Sequence, residues 1–433
     1  MKEDIATYTF DHNGMKVHFV PTKKFKTIQF AVKFKAPLNR DTITKRSLLT
    51  FILEQGTKEY PSERKLMQYL DELYGAVFSI DGQKKGNEHI ITFRLEVAND
   101  KYIAGEQSIV KQAVKLLHDL IFAPYQEGGQ FPEKVISREK RTLTDRIEAI
   151  KDDKMSYANM RLIDEMCKNE SYGIHALGYI EDLEHIDSVS ISEYYQTMLK
   201  ENMVDFYIVG DVYTKELRST IEEHFKEQFS RNRLPTLKES ASKEKAKEVI
   251  ETQQVNQAKL HIGYRTNITY EDEDYFALHV FNGLFGGFPS SKLFMNVREK
   301  HSLAYYAASR IESHKGLLLV FSGIESENYK QAKDIIDAQL KAMIDGSFTE
   351  RELDNIKALI ISDIKETLDH LTGTIELLYQ QVVGQKIMSP KDFMEGIMNV
   401  TKADVVRVAE KLVPDTTYLL TSRKEERNEK ENV

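Results

Sequence analysis

Residues Phe281 to Tyr305 read FNGLFGGFPSSKLFMNVREKHSLAY. An apolar helix runs into the double glycine Gly286-Gly287. A second helix opens at Ser290 or Ser291, either of which can cap it, and carries Arg298 near its end. A tight turn follows and leads into a strand that holds Tyr305. Glycine lets the backbone turn sharply and lets another chain come close. The order is therefore helix, glycine turn, helix, strand.

Outward from this stretch, the pattern extends to residues 258–265 as a strand, 272–285 and 290–300 as helices, and 303–313 and 316–325 as paired strands. Several helices follow, then a strand at 417–421. The first half repeats this order: a strand at 27–35, helices at 42–55 and 62–74, and paired strands at 76–82 and 89–98. Further helices lead to a strand at 205–209. The strands alternate with period two, as in Ile28, Phe30, Val32 and Phe34. The helices place apolar residues at i, i+3, i+4 and i+7, as in Leu66, Tyr69, Leu70 and Leu73. Tyr8 to Val20 reads as a hairpin turning at Asn13-Gly14. A repeated order predicts an α+β chain of two homologous domains, each a mostly antiparallel sheet with helices packed on one face. The expected boundaries are 1–230 and 249–423, joined by a polar linker at 231–248 and followed by a charged tail at 424–433.

The chain has 433 residues, of which 41% are hydrophobic and 30% charged, enough for two cores. Its net charge is −8 with both signs interleaved, which argues against nucleic acid as a partner. No apolar run is long enough for a membrane helix, and Met1-Lys2-Glu3-Asp4 does not open a secretory signal. The single cysteine, Cys167, excludes an internal disulfide and fits a reducing compartment such as the cytoplasm. No Gly-x-Gly-x-x-Gly, phosphate loop or Gly-x-Ser-x-Gly is present. None of the twelve histidines stands four residues from another, so no zinc helix of the His-Glu-x-x-His kind or its inverse can be read.

Ser291-Lys292-Leu293-Phe294 followed by Arg298-Glu299-Lys300-His301-Ser302-Leu303-Ala304-Tyr305 resembles the C-terminal hallmark of the pitrilysin/insulinase-type metallopeptidases, in the bacterial and mitochondrial-processing-peptidase branch. Lys292 replaces the family's Arg, and Ser302 replaces its Gly. Gly56-Thr57-Lys58-Glu59-Tyr60-Pro61, Tyr172-Gly173 to Gly178, and Asn202-Met203 through Gly210-Asp211 resemble further family anchors. The resemblance covers nearly the whole chain and implies the two-domain fold.

In that family, zinc is held by the two histidines of His-x-x-Glu-His and by a later Glu, while the Glu of the motif acts as general base. Counting back from Gly56, the histidine positions fall on Ser47 and Phe51 and the base on Thr50. Counting back from Asp152-Asp153, the third ligand falls on Arg146. A phenyl ring cannot ligate, and a guanidinium repels a dication. The resemblance therefore implies no metal in this chain. It also implies that Arg298 and Tyr305 are kept as the pair that, in heterodimeric members, faces a partner's zinc. The expected partner is a zinc-bearing homologous subunit. The expected substrate is an extended peptide lying near Gly286, Gly287, Arg298 and Tyr305, and activity is expected only in the complex. The other reading is a non-enzymatic peptide-binding or scaffold protein, for example in a translation-factor modification assembly.

Overall fold

The computed structural model describes residues 6–103, 108–212, 214–229 and 246–422. The chain forms two compact units, each built on one sheet.

The first sheet contains β1 (Tyr8–His12), β2 (Met15–Pro21), β3 (Thr27–Pro37), β4 (Val77–Lys85), β5 (Glu88–Ala98) and β6 (Met203–Gly210) in the order β1-β2-β6-β3-β5-β4. Every pairing is antiparallel except β2 with β6. The β1–β2 hairpin turns at Asn13 and Gly14, both at positive φ, as a two-residue turn between twisted strands requires. One face carries Ile28, Phe30, Val32 and Phe34 into a core with Leu48, Leu49, Ile52 and Leu53 of the helix Ile43–Leu53.

The other face of this sheet is also covered. Ala31, Ile90, Tyr207 and Val209 pack with Leu371, Ile375, Leu378 and Tyr379 of the helix Leu371–Gly384, which comes from the far end of the sequence. The alternating polar residues of β3 reach the same helix. Gln29 donates to Thr372 at 2.9 Å, and Lys33, whose side chain is fully buried, pairs with Glu376 at 2.5 Å.

The second sheet contains β7 (Lys247–Thr252), β8 (Ala258–Arg265), β9 (Ala304–Glu312), β10 (Leu317–Ile324) and β11 (Val413–Thr421) in the order β7-β11-β8-β10-β9. Only β7 with β11 is parallel. Five strands of the first sheet thus have a counterpart in the same order and sense, and β1 is extra. The helix Lys154–Met166 belongs to this unit. Its C-terminal Met166 carbonyl accepts from Arg265 at 2.6 Å, and its Tyr157 hydroxyl donates to Glu251 at 2.7 Å.

The α+β class and the doubled architecture follow the pattern read from the sequence. The compact units differ from two contiguous halves. Residues 150–169 join the second unit, and residues 362–394 join the first. Lys247 and Glu248, expected in the linker, already belong to β7. The rest of that linker through residue 245, and the tail at 424–433, lie outside the described residues.

Candidate functional site

The helix Ile43–Leu53 forms because Leu48, Leu49, Ile52 and Leu53 share an apolar stripe against the sheet. Ser47, Thr50 and Phe51 are all buried on it. The Thr50 hydroxyl donates to the Ser47 carbonyl at 2.8 Å, one turn back. The helix Glu133–Asp152 presents Arg146 to Phe51, with its guanidinium carbon 4.8 Å from the ring centroid. Phe51 and Arg146, two of the positions assigned through the resemblance, are therefore in contact. The four positions offer two hydroxyls, one of them engaged by the backbone, a phenyl ring and a permanent cation. These side chains do not fit zinc, which needs imidazole, thiolate or carboxylate donors. Among the described residues, no group of three or more His, Cys, Asp or Glu is arranged to hold a metal.

Three residues of this region were not singled out by the sequence. Arg46 is 1% exposed and has no carboxylate partner among the described residues. It donates to Asn202 Oδ1 at 2.6 Å, to the carbonyls of Phe34 and His89 at 3.1 Å each, and to His89 Nδ1 at 2.9 Å. Because Arg46 donates to Nδ1, the neutral imidazole carries its proton on Nε2. That nitrogen faces Gly82, where an added Cβ would come within 3.1 Å. Burial, then the charges of Arg46 and Lys84, hold the His89 pKa well below the ordinary histidine value. Glu54 follows the helix, and its carboxylate accepts the Ile80 amide at 2.8 Å. Burial pushes its pKa up. The helix is thus not purely apolar, since it also buries Thr44, Arg46, Ser47 and Thr50. A lone Arg inside an apolar stripe was the available signal.

The C-terminal motif folds as two π-helical segments, Gly283–Gly287 and Phe294–Lys300. Such segments are rare and occur frequently at functional sites. The second is preceded by buried Ser291, whose carbonyl accepts from the Met295 amide at 2.9 Å. A Cβ on Gly286 would lie 2.7 Å from the Ser309 backbone nitrogen, so the strand β9 of this same chain packs closely against it. Gly287 is exposed, and its own closest neighbour is the Asn282 amide. Lys292 uses its ammonium on the Ser347 carbonyl at 2.6 Å.

Arg298 lies over Phe294, with its guanidinium carbon 4.7 Å from the centroid, and its side chain is 45% exposed. Tyr305 is 66% exposed, and its hydroxyl donates to Glu325 Oε1 at 3.1 Å. No hydrogen bond joins Arg298 to Tyr305. Ser302 closes the turn between them with φ of 51°, and its amide donates to the Arg298 carbonyl at 3.0 Å. The turn that glycine forms in relatives is therefore made here by a residue in the left-handed region.

Residues 185–360 match the family model described as "Peptidase M16 inactive domain". Over 94% of its length the chain is 48% identical to the "Probable inactive metalloprotease YmfF" of Bacillus subtilis (strain 168), covering 96% of that protein. The structure superimposes on a conserved protein from Enterococcus faecalis V583 with a TM-score of 0.86 and 34% identity, covering 97% of this chain and 99% of that one. A protease from Helicobacter pylori shares the fold, with a TM-score of 0.81 at 18% identity over 97% of this chain and all of that one. A relative this similar over almost its full length, together with the shared two-sheet architecture, makes the chain a member of the peptidase M16 family, the pitrilysin/insulinase-type metallopeptidases and their relatives.

Proposed function

We propose that this chain is a zinc-free M16 subunit that binds extended peptide and lends Arg298 and Tyr305 to the active site of a zinc-bearing homologue. The observation that carries the reading is the contrast between the two motif regions. Phe51 and Arg146, neither of which can ligate a metal, pack against each other, while Arg298 and Tyr305 stand at the surface. In such a complex, Arg298 binds a peptide carbonyl oxygen. The Tyr305 hydroxyl donates to the oxyanion that forms at the scissile carbonyl, and donors aimed at developing charge are a large catalytic term. Alone, the chain is inactive. The compartment we assign is the cytoplasm, which suits a single buried thiol.

The test is reconstitution with a homologue that carries His-x-x-Glu-His, followed by peptide hydrolysis assays. Tyr305→Phe should lower kcat by about 10²–10³ while leaving KM nearly unchanged. A pair that keeps its full rate after both Arg298→Ala and Tyr305→Phe overturns the reading. One observation favours the scaffold alternative: Glu325 already occupies the Tyr305 hydroxyl. On that alternative, no pairing turns over peptide, and complex assembly is the only readout affected.

A further inference from the structure

The first unit holds a cleft of ≈ 710 Å³ between the segment that follows the helix Ile43–Leu53, the start of the helix Glu63–Glu72 and one face of the helix Glu133–Asp152. Arg64, Lys134, Arg138 and Arg141 line it, against only Glu63 and Asp145. This is a local excess of positive charge on a chain whose net charge is −8. Arg138 is partly spent, because its Nε donates to Glu139 at 2.6 Å. Arg64, Lys134 and Arg141 have no carboxylate partner among the described residues. All three are exposed at the cleft.

Their spacing narrows the ligand. Lys134, Arg138, Arg141 and Asp145 lie at i, i+4, i+7 and i+11 and share one helix face. The first three are separated along the axis by about 6 and 4.5 Å. Carboxylates on alternate residues of an extended strand repeat at about 6.7 Å, which long, flexible cationic side chains can meet. A continuous phosphate backbone fits less well. Glu63 and Asp145 also line the cleft and would repel it, whereas a peptide can place neutral residues against them. Tyr125 and Val135 offer apolar contact to the intervening side chains.

We propose that this cleft binds an extended peptide segment with acidic residues at alternate positions. The site belongs to the isolated chain and does not depend on Arg298, Tyr305 or a partner subunit.

The probe is a short fluorescent peptide with glutamate at alternate positions, titrated into the full chain and read by anisotropy. Its glutamine counterpart and a single-stranded oligonucleotide of similar length serve as comparators. The glutamate peptide should bind, weaken as salt is raised, and outcompete both comparators. Lys134→Glu with Arg141→Glu should weaken it by about tenfold or more. Both positions are exposed, and circular dichroism melting checks that the variant is folded. The proposal is overturned if the double variant binds the peptide as the parent does, if glutamate and glutamine peptides bind alike, or if the oligonucleotide binds more tightly. The titration uses the chain alone, with no zinc-bearing homologue present, which separates this test from the one above.

Discussion

The guanidinium of Arg146 stands over the ring of Phe51, 4.8 Å from its centroid. The position to which the family resemblance assigns the third zinc ligand thus carries a cation held on an aromatic face. Such a contact contributes about 0.5–1 kcal/mol at an exposed site, and it opposes any metal placed between the two helices.

Rebuilding only the helix motif should therefore fail. Ser47→His, Thr50→Glu and Phe51→His together supply two ligands and a base, but Arg146 stays. After gel filtration, elemental analysis should find well under one zinc per chain in this triple variant. Adding Arg146→Glu should bring the content to roughly one. Stoichiometric zinc in the triple variant would contradict the assignment of Arg146 to the third-ligand position.

Glu376 is the anchor of the helix Leu371–Gly384 on the first sheet. It meets Lys33 at 2.5 Å, Lys85 at 2.7 Å and Arg94 at 3.5 Å. Burial pushes its pKa up, but Lys33 and Lys85 outweigh this and hold it at about 2. Glu376→Ala leaves the buried Lys33 ammonium without its partner and should cost about 3–5 kcal/mol in urea unfolding. Lys33→Met combined with Glu376→Leu should recover part of that loss, because the buried ammonium is gone and Ala31, Tyr207 and Tyr379 are already packed, while Lys85 and Arg94 still lose their partner.

Ser302 adopts φ of 51°, which costs an L-residue roughly 1–2 kcal/mol relative to glycine's freedom. Glycine gives part of this back through a more flexible unfolded chain. Ser302→Gly should raise the urea midpoint by an amount equivalent to about 0.5–1 kcal/mol, with the slope of the transition unchanged. A fall in the midpoint would mean that the serine hydroxyl makes a contact worth more than the strain.

Acid should unfold the protein earlier than its carboxylates alone would. His89, His261 and His279 are buried and kept neutral. Burial holds His279 at about 4 and His261 at about 3, and holds His89 well below 6.5. Their folded values lie below the unfolded value, so the unfolded state takes up protons first. Stability is complete above pH 6.5 and falls as pH drops toward 4, by up to about 1.4 kcal/mol per pH unit for each histidine. His118 works the other way. Burial pulls its pKa down, but hydrogen bonds to Asp119 and Glu227 carry it above the ordinary value, so its contribution opposes theirs. Thermal melts between pH 7 and 5 should show a falling Tm, and His279→Phe should flatten the slope.

Most strands were legible because their apolar residues alternate, and β8 has the bounds read from its pattern. The strand β7 was not, because its only large apolar residues, Val249 and Ile250, are neighbours rather than alternates, and the rest of it is charged. The degenerate metal positions were assigned through the family resemblance, and two of them, Phe51 and Arg146, are in contact. The Arg46–His89 pair was not legible, since a buried cation satisfied by carbonyls and an amide leaves no carboxylate to find in the sequence. The crowding of Gly286 against Ser309 was also hidden, because a glycine that admits a ligand and one that admits its own strand look the same in one dimension.

The traded helices set the order in which this protein can be made. The sheet that holds the earliest strands needs Leu371, Ile375 and Tyr379 to close its second face, and these leave the ribosome only after β7 to β10 of the second sheet have been synthesised. Until then, that face exposes Tyr207, Val209 and the Lys33 cation. Ordinary multidomain chains complete their leading domain during translation. This one cannot, so its maturation is a single late event, and cutting it in the middle would leave two fragments that each lack a wall of their own core.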